Sequence, residues 1–131
     1  MQTSIILAED HVLVRQGLRR IIQEDPTMQV IQEAGDGLEL LELLQENTPD
    51  IVILDISMPR LGGLEAAQVI KMQYPTIKVM ILTMHRERNF FQKALGIGVD
   101  GYILKDEADT TLNSAIKAVL KDNAYFSSLL I

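Results

Sequence analysis

A chain of 131 residues fits a single domain and is long enough to bury a real core. The absence of cysteine excludes disulfides and thiolate metal sites. A net charge of −6 is the wrong sign for a nucleic-acid surface, which needs a basic footprint.

The N-terminus, MQTSIILAEDH, has no basic n-region, and Glu9 and Asp10 interrupt its apolar run, so it does not read as a signal peptide. No apolar stretch approaches the roughly 20 residues needed to span a bilayer. The run at 5–8 is the first strand, and it ends on Glu9-Asp10. Val14, Leu18, Ile21 and Ile22 then recur with helical period. A second run at 28–34 stops at the turn Gly35-Asp36-Gly37 and is followed by a stripe of Leu40, Leu41 and Leu44. The breaker Asn47-Thr48-Pro49-Asp50 precedes a third run, IVIL at 51–54, which ends on Asp55. Ser57 turns the chain, Pro59 delays the next helix, and Gly62-Gly63 lets it begin. Ala67, Ile70 and Tyr74 line that helix, and Pro75 stops it. A fourth run at 79–82 ends on Thr83, and the stripe Phe90, Phe91, Ala94 and Leu95 is expected to close at Gly96. The fifth run, 102–104, ends on Lys105. Asp106 and Asp109 read as a capping box for a last helix carrying Leu112, Ala115, Ile116, Val119 and Leu120.

Five β-α repeats with near-continuous Val/Ile/Leu strands imply an α/β fold, an open five-stranded parallel sheet covered by helices on both faces. Sites in such sheets form at the carboxyl ends of the strands. Four of the five ends here carry Glu9 and Asp10, Asp55, Thr83 and Lys105. An acidic residue after a strand, taken singly, is usually a helix cap or a solvated turn; Thr83 alone is a cap and Lys105 alone a surface charge. Together they suit capture of a phosphoryl group by the Asp55 carboxylate, a nucleophile that is already ionised at neutral pH. Clustered carboxylates need charge neutralisation, which points to Mg²⁺ on Glu9, Asp10 and Asp55, with the Ser57 backbone carbonyl as a further oxygen. Lys105 is expected to pair with Asp55 and then with the phosphate, and Thr83 to donate its hydroxyl to a phosphate oxygen. His11 and His85 are expected to be bystanders, and Arg60 and Lys71 to be solvated charges. Met84 is expected to shade the phosphate from water.

These residues closely resemble the receiver domain of two-component response regulators, over essentially the whole chain. The likeness is most specific in LAEDHVLVRQGL, PDIVILDISMPRLGGLEA, ILTMHRERNFFQKAL and GYILKDEA, which look like the NarL/FixJ branch with its C-terminal LuxR-type helix-turn-helix. The resemblance implies a flavodoxin-like, doubly wound (βα)5 sheet of order 2-1-3-4-5. It implies phosphorylation of Asp55 by a sensor histidine kinase, and Mg²⁺ at Glu9, Asp10 and Asp55. Thr83 and Tyr102 match the family's switch pair, in which the hydroxyl moves toward the phosphate and the aromatic ring turns inward. That motion remodels the face made by the fourth helix, fifth strand and fifth helix. The expected protein is a cytoplasmic phosphoprotein in transcription regulation, not an enzyme in the usual sense, although it would promote its own phosphorylation and slow dephosphorylation. A receiver domain is expected over 1–122, with 123–131 the start of a linker to an output domain. Contact with DNA would come only through that helix-turn-helix domain, which is not in this chain, and a homodimer could form on phosphorylation. No membrane contact is implied. Asp106 stands where most receivers have a proline that follows a cis bond.

Two rivals fit less well. A haloacid-dehalogenase-type phosphatase uses Asp-x-Asp after its first strand, whereas here the acid follows the third strand and Ser57 occupies the second Asp's place. A constitutive interaction module would have no use for the intact set of acidic, Thr and Lys groups.

Overall fold

The computed structural model describes residues 2–130. The elements in chain order are β1 (Thr3–Ala8), α1 (Val12–Gln23), β2 (Met28–Ala34), α2 (Gly37–Leu44), β3 (Ile51–Leu54) and α3 (Gly63–Gln73). They continue with β4 (Lys78–Thr83), α4 (Arg88–Ile97), β5 (Gly101–Leu104), a 3-10 turn (Lys105–Glu107), α5 (Ala108–Leu120), β6 (Tyr125–Phe126) and a second 3-10 turn (Ser128–Leu130). The sheet is parallel throughout, with order β2-β1-β3-β4-β5-β6. The expected order 2-1-3-4-5 is therefore present, and a sixth strand extends it. Tyr125 and Phe126, expected to begin a linker, pair with Gly101 and Tyr102 along the free edge of β5.

The two faces follow from strand alternation. Ile5, Leu7, Ile51, Ile53, Met80, Leu82 and Ile103 point toward α1 and α5, where Leu18, Ile22, Leu112, Ile116 and Val119 receive them. Ile6, Ala8, Val52, Leu54, Val79, Ile81, Tyr102 and Leu104 point the other way, onto Leu40 and Leu44 of α2, Ala67 and Ile70 of α3, and Ala94 of α4. Both faces of the central strands are thus dry, which is why β3 reads as IVIL rather than as an alternating pattern. No helix among the described residues is long and apolar enough to cross a membrane.

Several local expectations are corrected. Helix α4 ends not at Gly96 but at Gly98, whose φ of 91° is the left-handed conformation that closes a helix at low cost only for glycine. Asp106 does not cap α5: it pairs with Arg86 and lies in the 3-10 turn, while Thr110 and Thr111 donate their hydroxyls to the Glu107 carbonyl. The Lys105–Asp106 peptide is trans, like every other in the described chain. Lys71 is not solvated; its ammonium donates to Asp100 Oδ2 at 2.9 Å, and the same oxygen accepts from Val79 N. Arg60 is likewise paired, its guanidinium donating to both Asp36 oxygens at 2.8 and 3.2 Å.

The loop between β3 and α3 is strapped down at three points. Gly63 N donates to Ile56 O at 2.8 Å, Gly37 N to Leu61 O at 3.1 Å, and Arg60 reaches Asp36 at the start of α2. Ile56 to Gly62 therefore form a fixed lip beside Asp55 rather than a free loop.

Candidate functional site

Register places the site. Ala8 pairs with Leu54 across β1 and β3, so the next residues, Glu9 and Asp55, emerge side by side. Thr83 pairs with Leu104 across β4 and β5, so Lys105 emerges one residue beyond that pair. The order of strands changes direction at β1 and β3, and this is where an open α/β sheet leaves a crevice at its carboxyl edge.

The side chains converge as that placement requires. Lys105 Nζ donates to Asp55 Oδ2 at 2.8 Å and also bonds Glu9 Oε1. Asp55 Oδ1 accepts from Ile56 N at 2.7 Å. Glu9 and Asp55 are almost completely buried, at 1% and 6% exposure. Burial by itself would push the Lys105 ammonium toward a lower pKa; the bonds to Asp55 and Glu9 outweigh it and hold the group above the ordinary lysine value. Two buried carboxylates thus share one cation, and Asp10 adds a third negative charge at the rim. The pocket is left with an excess of negative charge.

This arrangement fits a hard divalent cation. Asp10 Oδ1 is buried and accepts no hydrogen bond, although His11 Nδ1 lies 3.2 Å away. An unsatisfied buried carboxylate oxygen is costly unless something positive meets it. Ligand atoms of Glu9, Asp10 and His11 lie within 4.8 Å of one another. Asp55 joins this group only through the Lys105 ammonium. His11, expected to be a bystander, touches both acids: its Nδ1 is 3.1 Å from Glu9 Oε2, and its backbone N donates to the same oxygen at 3.0 Å. Its ring is largely exposed, and oxygen donors suit Mg²⁺ better than imidazole.

Thr83 and Tyr102 are fully buried and are joined through a single residue, His85. The backbone N of His85 donates to Thr83 Oγ1 at 3.3 Å, while its carbonyl accepts from the Tyr102 hydroxyl at 3.0 Å. The Tyr102 ring is therefore in the inward position. Burial, with smaller contributions from the Glu87 and Asp55 charges, pushes its hydroxyl up to about 12. Because an unfolded tyrosine ionises near 10, the buried neutral phenol's contribution to stability is complete below pH 10 and is lost as the pH rises toward 12. Spectrophotometric titration should show one of the three tyrosines ionising only near pH 12, and Tyr102→Phe should remove that step.

Met84, expected to shade the phosphate, is 62% exposed. The residue at the mouth is His85, whose Nε2 is hydrogen-bonded to Ser57 Oγ at 2.7 Å and whose ring packs on Phe90. Sequence reading missed this pair. Ser57 and His85 lie in the loops that follow β3 and β4, where no periodic pattern marks a contact.

A profile described as the response regulator receiver domain matches residues 5–117. The chain is 34% identical over 121 residues to the transcriptional regulatory protein DegU of Brevibacillus brevis, covering 92% of this chain and 51% of that protein. It is 35% identical over 125 residues to the response regulator UvrY of Escherichia coli, covering 95% of this chain and 57% of that protein. The chain thus spans about half the length of these curated relatives. A crystal structure of a LuxR-family two-component response regulator from an Aurantimonas species superposes with a TM-score of 0.94 at 36% identity, covering 99% of this chain and 93% of that one. The five-stranded core, the cluster of acids and lysine at its carboxyl edge, and these likenesses agree: the chain belongs to the response regulator receiver domain family.

Proposed function

We propose that this chain is a phosphoacceptor switch, phosphorylated on Asp55 by a sensor histidine kinase. The observation that carries this reading is the Asp55 carboxylate at the mouth of the central strand, 2.8 Å from the Lys105 ammonium and beside Glu9 and Asp10. An Asp55 oxygen attacks the phosphorus of a phosphohistidine; the P–N bond breaks, its electron pair stays on the imidazole nitrogen, and an acyl phosphate forms. Lys105 passes its hydrogen bond from the carboxylate to a phosphoryl oxygen, and the Thr83 hydroxyl turns to donate to another. Glu9, Asp10 and Asp55, with the Ser57 carbonyl, would hold Mg²⁺, which supplies neutralisation of charge on the phosphoryl oxygens. Hydrolysis, with water attacking phosphorus, returns phosphate and the free carboxylate, so the domain promotes both its own loading and its own slow reset.

The output follows from the Thr83–His85–Tyr102 chain of bonds. Drawing the Thr83 hydroxyl toward a phosphate changes its contact with His85 N, and His85 O is what holds Tyr102 inward. The face formed by α4, β5 and α5 would respond. In DegU and its relatives the polypeptide is nearly twice as long, and control of transcription through a C-terminal helix-turn-helix is the output we assign. The same reading includes a cytoplasmic setting and a second copy as partner on phosphorylation.

The test is phosphotransfer from acetyl phosphate with Mg²⁺, followed by intact mass. One phosphoryl group on the wild type, none without Mg²⁺ and none on Asp55→Asn is the expected result. No addition to the wild type, or equal addition to Asp55→Asn, would refute the proposal.

A further inference from the structure

The segment after α5 does not leave the domain directly. Tyr125 N donates to Asp100 O at 3.1 Å, and Ser127 N to Tyr102 O at 2.9 Å, so β6 closes the edge of β5. Ser127 is 1% exposed. Leu130 N returns to Ser127 O, and Leu130 lies with Arg88, Phe91, Gln92 and Leu95 around a shallow hollow of about 350 Å³.

A two-residue edge strand has little stability of its own and must be held by what its side chains touch. Here that is an aromatic series. The Phe126 ring meets Phe91 edge-on at 5.7 Å, and Phe91 meets Tyr102 edge-on at 5.3 Å. Tyr102 and Phe126 are also register partners. The ring of Tyr102 therefore supports Phe91, and Phe91 supports Phe126. If the Tyr102 ring leaves its buried position, Phe91 loses its support, its contact with Phe126 is weakened, and the β6 pairing that covers the edge of β5 is weakened with it.

Resting on the phosphoswitch reading above, we propose that residues 125–130 are a docking strap. Its attachment to β5 and α4 depends on the inward Tyr102 ring, and it conveys that ring's position to the polypeptide beyond. The β5 edge then has an intramolecular occupant, and a second chain could add to it only by displacing β6. The strap differs from a passive linker in one measurable respect: its backbone protection must follow the Tyr102 ring.

Amide hydrogen exchange on the 131-residue chain tests this, with the Ser127 amide as reporter and the Leu54 amide as a fold control. Tyr102→Leu and Phe91→Leu should each speed Ser127 exchange by about tenfold or more while Leu54 stays protected. Phe91 is only half-buried, so its variant keeps the core if Tyr102→Leu does not, and its result then decides. Unchanged Ser127 protection in Phe91→Leu would overturn the strap. A second arm adds acetyl phosphate and Mg²⁺, with loading followed by mass. A changed Ser127 exchange rate in the loaded protein supports the coupling, and equal exchange at full loading overturns it. Failure to load at all would refute the phosphoacceptor reading instead, while the variants still report on the strap.

Discussion

Replacing Lys105 with alanine should destabilise the folded domain by about 3–5 kcal/mol in the absence of divalent cation, read as a lower urea midpoint. The side chains of Lys105, Glu9 and Asp55 are 13%, 1% and 8% exposed, so the ion contacts are screened little by water. Removing the ammonium leaves two buried carboxylates facing each other with Asp10 at the rim. The cost comes from that unpaired charge more than from the lost bonds. Mg²⁺ should recover part of the loss, because it binds the folded pocket and not the unfolded chain. Lys105→Arg, too bulky for the same geometry but still cationic, should lose less. An alanine variant as stable as the parent without Mg²⁺ would mean that the carboxylates are already neutralised by some other means.

Gly63→Ala should be nearly as damaging, for a purely steric reason. A Cβ on Gly63 would fall on the Asp55 carbonyl oxygen and within 2.7 Å of its carbonyl carbon. Both neighbours are backbone, so no rotamer change relieves the clash, and the hydrogen bond from Gly63 N to Ile56 O fixes the approach. A loss of at least about 3 kcal/mol is expected, at the upper end of overpacking effects, because the start of α3 must lift away from the end of β3. The displacement would fall on Asp55 itself, so phosphoryl loading should drop along with the urea midpoint. Gly17→Ala is the matched control. It lies inside α1 with no atom within 4 Å of the added methyl, and it should stabilise the domain by about 0.5–1 kcal/mol. Equal effects of the two substitutions would remove the steric argument.

The fold was legible because buried parallel strands are written as apolar runs, and helices between them as 3.6-period stripes. The bounds of β2 and β3 were readable to the residue, and the gathering of Glu9, Asp55 and Lys105 at the carboxyl edge of the sheet followed from listing strand ends. What escaped was long-range or too short to have a period. Tyr125 and Phe126 form a strand of two residues, which no alternation pattern can signal; only pairing with Gly101 and Tyr102 makes them one. The partner of Lys71 is Asp100, 29 residues on, and nothing local announces it. Either Gly96 or Gly98 could have ended α4, and the choice rests on a left-handed backbone angle that appears only in three dimensions. Asp106 had the right spacing for a cap but a nearer attraction in Arg86. The His85–Ser57 pair joins the loops after β3 and β4, and no local pattern announces it.

The domain's proposed chemistry rests on one atom-level assertion, that an Asp55 carboxylate oxygen becomes the phosphoryl acceptor. Borohydride reduction of the loaded protein tests it most directly, because it converts an acyl phosphate side chain to the corresponding alcohol, marking the residue permanently for peptide mass mapping. The account predicts homoserine at position 55 and nowhere else, in amounts that match the phosphoryl content before reduction. Homoserine at position 10, reduction of Glu9, or a phosphoryl group that resists borohydride would contradict it.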